Sequence, residues 1–137
     1  MAHHGNDNDV ALLHLDYHPL NIMTDGTRVT GVLDWENAHA GDPRADLART
    51  VSILLVDARG PHGPSDAERR MRLTLARGCL HGYAEVAGVP TAMAAFYAWA
   101  GEVMQRDLGP KREAIELARI RDWTDRRRRR AGLPDGW

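Results

Sequence analysis

The chain has 137 residues, which is about the length of one typical domain and is enough to bury a hydrophobic core. Its hydrophobic fraction of 43% and charged fraction of 27% are ordinary globular values, which exclude disordered, collagen-like and disulfide-rich classes. A formal net charge of -1 gives no overall field that would concentrate the protein on nucleic acid or on an anionic membrane.

The first nine residues form a polar arm without the basic and apolar blocks of a signal peptide. Cys79 is the single cysteine, so no disulfide can form within the chain. The most apolar stretch, residues 92–104, is much shorter than the ~20 residues that span a bilayer. We therefore expect a cytoplasmic location, with no membrane segment and no nucleic-acid partner, and we treat residues 1–137 as one domain.

Short runs typical of β-strands follow the arm, at residues 10–15, 21–24 and 28–33. Asp25 and Gly26 join the last two runs, and this pair favours a hairpin with a type I′ turn, in which both central residues have positive φ. The pattern predicts a small antiparallel β unit.

The hydrophobic period then changes from two to about 3.6 residues, which indicates helices. Asp42 is a suitable N-cap and Pro43 a suitable first helical residue. We expect this helix to be deeply buried along an apolar face comprising Leu47, Ala48, Val51, Leu54 and Leu55.

Three more helices are predicted after a loop at residues 57–64. Ser65 and Glu68 form a capping-box pattern that opens a helix ending near Gly88. The next helix has an apolar stripe, and the last runs from about Pro110 into a basic tail, residues 126–137, with an end near Gly132. The members of the stripe are Met93, Phe96, Tyr97, Ala100 and Met104.

Three polar residues interrupt the β runs at their ends. Asp16 follows the first run, Asn21 opens the second and Asp34 closes the third. Two carboxylates and an amide supply oxygen ligands, which a hard cation such as Mg²⁺ prefers. In phosphoryl transfer, metal ions neutralise the phosphates and a carboxylate accepts the proton of the attacking hydroxyl. The set therefore suits that reaction.

The sequence around these residues resembles a known family. Residues 14–21, HLDYHPLN, resemble the catalytic loop H-x-D-x-x-x-x-N of aminoglycoside phosphotransferases, choline-kinase-like enzymes and protein kinases. Residues 32–36, VLDWE, resemble the family's metal-binding segment. Residues 41–48, GDPRADLA, resemble the G-D-P-x-x-D-L-A run of its bacterial small-molecule members. Chance is a poor explanation for three such pieces in the right order.

The resemblance implies an α+β fold, the C-terminal lobe of a protein-kinase-like structure in which a small β unit carries the catalytic loop on a mainly helical body. It implies an ATP-dependent phosphotransferase that uses Mg²⁺ and acts on a hydroxyl of a small molecule. The acceptor stays open among aminoglycosides, macrolides, choline, amino acids and sugars.

The same resemblance assigns roles to individual residues. Asp16 would be the catalytic base, with Asn21 and Asp34 as metal ligands. Asp46 would support the catalytic loop, while His14, on an apolar run, is better explained as a hydrogen-bonded core histidine than as a proton carrier. The floor under the adenine ring would comprise Met23 and Leu33.

The chain departs from the family pattern in two respects. Leu15 stands where a small or basic residue is common, and no glycine-rich loop or strand lysine precedes His14. We therefore expect the nucleotide-binding lobe to be missing or supplied by another chain. We also expect the isolated chain to lack useful kinase activity and to associate through exposed apolar residues, for example as a homo-oligomer.

Three alternatives compete with this interpretation. One is a non-catalytic remnant or assembly module that retains the site. Another is a zinc hydrolase using His14, Asp16 and His18, although no further ligand cluster is evident. The third is a nucleic-acid-binding tail at arginines 126–130, for which a solvated helix end is the simpler explanation.

Overall fold

The computed structural model describes residues 10–134, so the predicted arm at residues 1–9 and the last three residues of the basic tail lie outside the described residues. Helices and short strands are both present, in agreement with the predicted α+β class. The strands are β1 (Ala11–Leu13), β2 (Ile22–Thr24), β3 (Val29–Val32) and β4 (His39–Gly41). The helices are α1 (Pro43–Val56), α2 (Asp66–Ala87), α3 (Ala94–Leu108) and α4 (Ala114–Arg130).

The strands form two separate antiparallel pairs, which corrects the prediction of one β unit. Strand β1 pairs with β4, and β2 pairs with β3. The hairpin is confirmed, but its turn is not a two-residue type I′ turn, because only Gly26 of the central pair has positive φ. Asp25 instead accepts hydrogen bonds from the backbone N–H groups of Thr27 and Arg28. A hydrogen bond from the Thr27 hydroxyl, followed by these two backbone bonds, lowers the pKa of Asp25 to about 2.

Helix α1 lies at the centre of the fold and packs against α2, α3 and β1. Asp42 caps it by accepting a hydrogen bond from the Arg44 N–H, and Pro43 is its first residue, as predicted. Its deep burial is also confirmed, because Ala48 and Ser52 have no solvent exposure. This buried helix therefore supports the loop that follows β1.

Helices α3 and α4 complete the core on the other side of α1. Buried Met104 of α3 packs with Ile120 and Trp123 of α4. Helix α4 begins four residues later than predicted, since Pro110 lies in a short 3₁₀ turn and Glu113 is the N-cap. Glu113 forms a capping box with Glu116, a pattern that the sequence analysis missed.

Helix α4 also fixes the loop at residues 57–64. Arg112 donates a 2.8 Å hydrogen bond to the Asp57 carboxylate, and Glu116 accepts one from the Gly60 N–H. The Arg119 guanidinium donates to the carbonyl oxygens of Ala58 and Gly60. The loop is therefore held against α4 and the residues just before it, although it contains little regular structure.

The arginine-rich end of α4 is only partly the solvated helix end that we expected. The Arg127 guanidinium stacks at 4.9 Å on the rings of both Tyr97 and Trp123. Arg128 is buried and pairs with Glu102 of α3. At least two of the five arginines therefore hold α4 against α3.

Within residues 10–134, no helix combines the length and the apolar character needed to cross a membrane.

Candidate active site

The loop between β1 and β2 is held by a single carboxylate from α1. Asp46 Oδ2 accepts a 2.9 Å hydrogen bond from the His14 N–H, and Oδ1 accepts a 2.8 Å bond from the Leu15 N–H. Leu15 has a φ of 65°, a left-handed conformation that costs a branched residue on the order of 1 kcal/mol. The two charge-assisted hydrogen bonds offset this cost, and they fix the direction in which the chain enters Asp16.

His14 connects this loop to the end of the hairpin. Its ring is buried, its Nε2 lies 2.8 Å from the Leu33 carbonyl oxygen, and its Nδ1 accepts a hydrogen bond from the Asp16 N–H. A carbonyl can only accept and an amide can only donate, so these partners require the neutral tautomer with hydrogen on Nε2. Both ring nitrogens are therefore engaged, which leaves neither for the zinc site considered above.

Asp16 and Asn21 are in direct contact. The Asn21 Nδ2 donates to the Asp16 carbonyl at 3.0 Å and to Asp16 Oδ2 at 3.2 Å. His18 lies beside both residues, with its Nε2 3.5 Å from Asp16 Oδ1. The amide therefore orients the carboxylate, and the histidine supplies a second polar neighbour.

The hairpin register places Asp34 one residue beyond Leu33, which lies opposite Asn21. The Leu33 N–H donates a 2.8 Å hydrogen bond to the Asn21 carbonyl, which continues the β2–β3 ladder to the residue before Asp34. Asp34 is exposed and has a φ of 59°, again in the left-handed region. Its carboxylate makes no hydrogen bond or ion pair with any residue in the described part of the chain.

The side-chain oxygen atoms of Asn21 and Asp34 are suitable ligands for a hard cation. With its Nδ2 bonded to Asp16, Asn21 keeps its Oδ1 for other partners, and the Asp34 carboxylate is open to solvent. Oxygen ligands, few in number and solvent-accessible, suit Mg²⁺, which retains several of its waters. Among residues 10–134, no three His, Cys, Asp or Glu side chains are gathered as for a metal ion, so the candidate set here consists of Asn21 and Asp34.

Met23 and Leu33 are exposed apolar residues on the hairpin, at 52% and 48% of their full accessibility. Met23 lies opposite Gly31, and its Sδ is 3.5 Å from where a Gly31 Cβ would stand. Because side chains alternate along a strand, Leu33 falls on the same face as Gly31 and Met23. This face offers a flat apolar surface next to Asn21.

A cleft of about 600 Å³ opens on the other side of Asp16. Its walls come from the loop between β1 and β2, α1, the loop at residues 57–64, α2 and α3. Asp16 and His18 line it, whereas Asn21, Asp34 and the apolar hairpin face do not. The Asp16 carboxylate therefore stands between two different surfaces, an open oxygen-rich one and a partly enclosed one.

A second, smaller cleft of about 420 Å³ lies between the loop and α2. Tyr17 and Cys79 both line it, and burial raises the pKa of the Tyr17 phenol and of the Cys79 thiol. A raised thiol pKa means little thiolate at neutral pH, so Cys79 is an inert side chain rather than a nucleophile.

Comparison with known proteins identifies the family of this chain. The family model described as the phosphotransferase enzyme family matches residues 2–89, which is more than half of the chain and includes the loop, the hairpin and α1. The chain therefore belongs to the phosphotransferase enzyme family. No curated protein and no solved structure matches it.

Sequence reasoning missed the charged residues that line the large cleft, above all Arg49, Arg59 and Arg72. Arg49 carried a usable signal, because it is the one charged residue in the otherwise uncharged run 47–56. The other two gave no signal, since their helix and loop contexts are ordinarily solvated.

Proposed function

We propose that this protein transfers the γ-phosphate of ATP to a hydroxyl group of a small molecule. The observation that carries the proposal is the position of Asp16, whose carboxylate is oriented by Asn21 and faces the large cleft. A hydroxyl acceptor in that cleft meets the carboxylate from one side, and the open surface beside Asn21 and Asp34 remains for the phosphates.

In this proposal, Asp16 accepts the proton of the attacking hydroxyl. The Asn21 amide holds one carboxylate oxygen, so the other oxygen, which lies 3.5 Å from His18 Nε2, is the one that meets the acceptor. General-base assistance of this kind is worth ~10²–10⁴-fold in rate. His14 and Asp46 do not touch the acceptor; they position the loop through the hydrogen bonds described above.

Residues suited to hold Mg²⁺ and the adenine ring of ATP are also present. Asn21 Oδ1 and the Asp34 carboxylate would hold Mg²⁺, which when bound neutralises charge on the transferring phosphate. Met23 and Leu33 would support the adenine ring on the apolar hairpin face. A left-handed Asp34 at the end of β3 has its carboxylate free for this purpose, because it has no partner among the described residues.

The test separates the base from the metal ligand. Asp16→Asn is expected to lower turnover by at least ~10² with nearly unchanged nucleotide affinity, because the base acts on the acceptor. Asp34→Ala is expected to weaken Mg²⁺-dependent nucleotide binding itself. Turnover would be measured against hydroxyl acceptors with the chain alone and with a separately expressed nucleotide-binding lobe, and binding by titration of an ATP analogue.

Asp122→Asn is the matched control, because Asp122 lies on α4 in an exposed pair with Arg126 and far from the loop in sequence. Near-normal turnover by Asp16→Asn would remove Asp16 from the mechanism. Equal nucleotide affinity of wild type and Asp34→Ala in saturating Mg²⁺ would reject Asp34 as a ligand. Absence of phosphoryl transfer under every condition would favour the non-catalytic assembly module instead.

A further inference from the structure

The large cleft beside Asp16 is lined by a buried arginine that makes no hydrogen bond within the described part of the chain. Arg49 of α1 is only 9% exposed and lines the cleft, and its Nη1 makes no hydrogen bond to any residue in the described range 10–134. Burial lowers the pKa of Arg49, but a guanidinium remains charged in proteins. A buried charge without a partner lowers the stability of the fold, so stability does not explain why an arginine occupies this position.

The carboxylates around Arg49 are committed to other groups. Asp57 binds Arg112 at 2.8 Å, and Asp107 binds its neighbour Arg106 at 3.0 Å. Asp16 is held by the Asn21 amide at 3.2 Å. These three acidic residues act on Arg49 only through space. None of them neutralises the Arg49 guanidinium through a direct contact.

The pairing of the other charges determines what the cleft attracts. Its lining includes four carboxylates and three guanidinium groups, a count that by itself would favour a cation. However, Glu68 is bound to Arg72 at 2.9 Å, which leaves Asp16 as the one lining carboxylate without an arginine partner in the described chain. Arg49 and the exposed Arg59 both lack a partner there. The unpaired charges are thus two cations and the proposed base.

We propose that Arg49 binds an oxyanion on the acceptor, so that the substrate class is a small hydroxylated anion, with a carboxylate or a phosphate at one end and the reacting hydroxyl near Asp16. This deepens the proposed function and rests on it. The planar guanidinium suits such groups, because it can donate two parallel hydrogen bonds to one carboxylate or phosphate. A cleft of about 600 Å³ lies within the ordinary size range for a small-molecule site.

The experiment measures binding without ATP, so that it does not depend on catalysis. The full chain is titrated with glycerate, which has a carboxylate, with glycerol phosphate, and with glycerol as the uncharged control, and binding is followed by NMR. Choline and an aminoglycoside serve as cationic probes. We expect at least one anion to bind ~10-fold or more tightly than glycerol, and the stronger of the two identifies the natural anionic group.

Variants assign this binding to Arg49. Arg49→Met should lower the affinity for the anion by at least ~10-fold. Arg49→Lys should retain only part of the affinity, because a lysine ammonium cannot donate two parallel hydrogen bonds as a guanidinium does. Arg70→Met, an exposed arginine of α2 outside the cleft, should bind like wild type. Thermal midpoints provide the structural control: removal of an unpaired buried charge should leave the Arg49→Met midpoint unchanged or higher.

Several results would overturn the proposal. Anions that bind no better than glycerol, cations that bind better, or full affinity in Arg49→Met would each do so. A greatly lowered midpoint in Arg49→Met would identify Arg49 as a structural residue. Phosphorylation of neutral or cationic acceptors alone would reject the anion site and retain the kinase. Arg49-dependent anion binding without phosphoryl transfer would retain the anion site and reject the kinase.

Discussion

At the scale of single residues, the site depends on two left-handed backbone positions, Leu15 and Asp34, on either side of the buried His14 ring. Such conformations persist only where the surroundings enforce them, and they often lie at functional sites. Here the enforcing groups are identifiable. Asp46 holds Leu15, and the hairpin register together with the His14–Leu33 contact holds the residue before Asp34.

We predict that Asp46→Asn destabilises the protein by roughly 1–3 kcal/mol, because one of its two oxygens becomes an amide donor facing a backbone N–H. The loss should be visible in urea unfolding at neutral pH. Asp122→Asn, which removes only an exposed helical ion pair, should cost less than ~0.5 kcal/mol. Equal stability of the two variants would show that the loop does not need Asp46.

At the scale of elements, the helices approach one another at very different distances. Gly101 of α3 is buried, and a Cβ there would lie 2.9 Å from the Thr124 Cβ of α4 and closer still to its hydroxyl oxygen. Gly82 of α2 is exposed, and a Cβ there would meet nothing within 4 Å. A methyl group at Gly101 would therefore clash with α4, whereas one at Gly82 would clash with nothing.

We predict that Gly101→Ala destabilises the protein by about 1–3 kcal/mol through overpacking, whereas Gly82→Ala stabilises it by up to about 1 kcal/mol through helix propensity. Both variants add the same methyl group to a helix, so each controls for the other. Thermal and urea unfolding of the pair would check this. Stabilisation of both would mean that α3 and α4 can separate without loss, contrary to their close packing.

At the scale of the whole molecule, apolar side chains are exposed on both strand pairs. Leu12 of β1 is 68% exposed, and Met23 and Leu33 of the hairpin are about half exposed. Exposed apolar surface of this kind favours association with another chain or with itself. The cleft side, in contrast, is lined by several charged residues and is partly enclosed.

We predict that the chain self-associates in a concentration-dependent manner, and that Leu12→Lys combined with Met23→Lys shifts it toward monomer. Val86→Lys, which replaces a 91% exposed residue near the end of α2, should leave the association unchanged. Sedimentation at several concentrations provides the measurement. A wild-type chain that stays monomeric at all concentrations would contradict the prediction, and equal effects of both changes would mean that charge alone controls association.

Much of the local structure follows from short-range physics and was predictable. The caps at Asp42 and Ser65, the hairpin and the four helices agree with the structure, because caps, turns and hydrophobic period act within a few residues. The Asp16, Asn21 and Asp34 set was also noticeable in the sequence, since polar residues at the ends of apolar runs are unusual. Their roles remain predictions.

Tertiary structure alone decided the pairing of β1 with β4 and the long-range ion pair at the cleft. Strand β4 has only three residues, two of them Ala and Gly, so nothing local marks it, and its partner lies 26 or more positions away. Likewise, the pairing of Asp57 with Arg112 depends on how the loop after α1 meets the start of α4, whereas the Glu68–Arg72 and Arg106–Asp107 pairs are local. The sequence by itself determined the helices, the hairpin and the position of the loop between β1 and β2. The fold determined that Arg49 is buried with no hydrogen-bond partner among residues 10–134, because burial is a sum of contacts from elements distant in the chain.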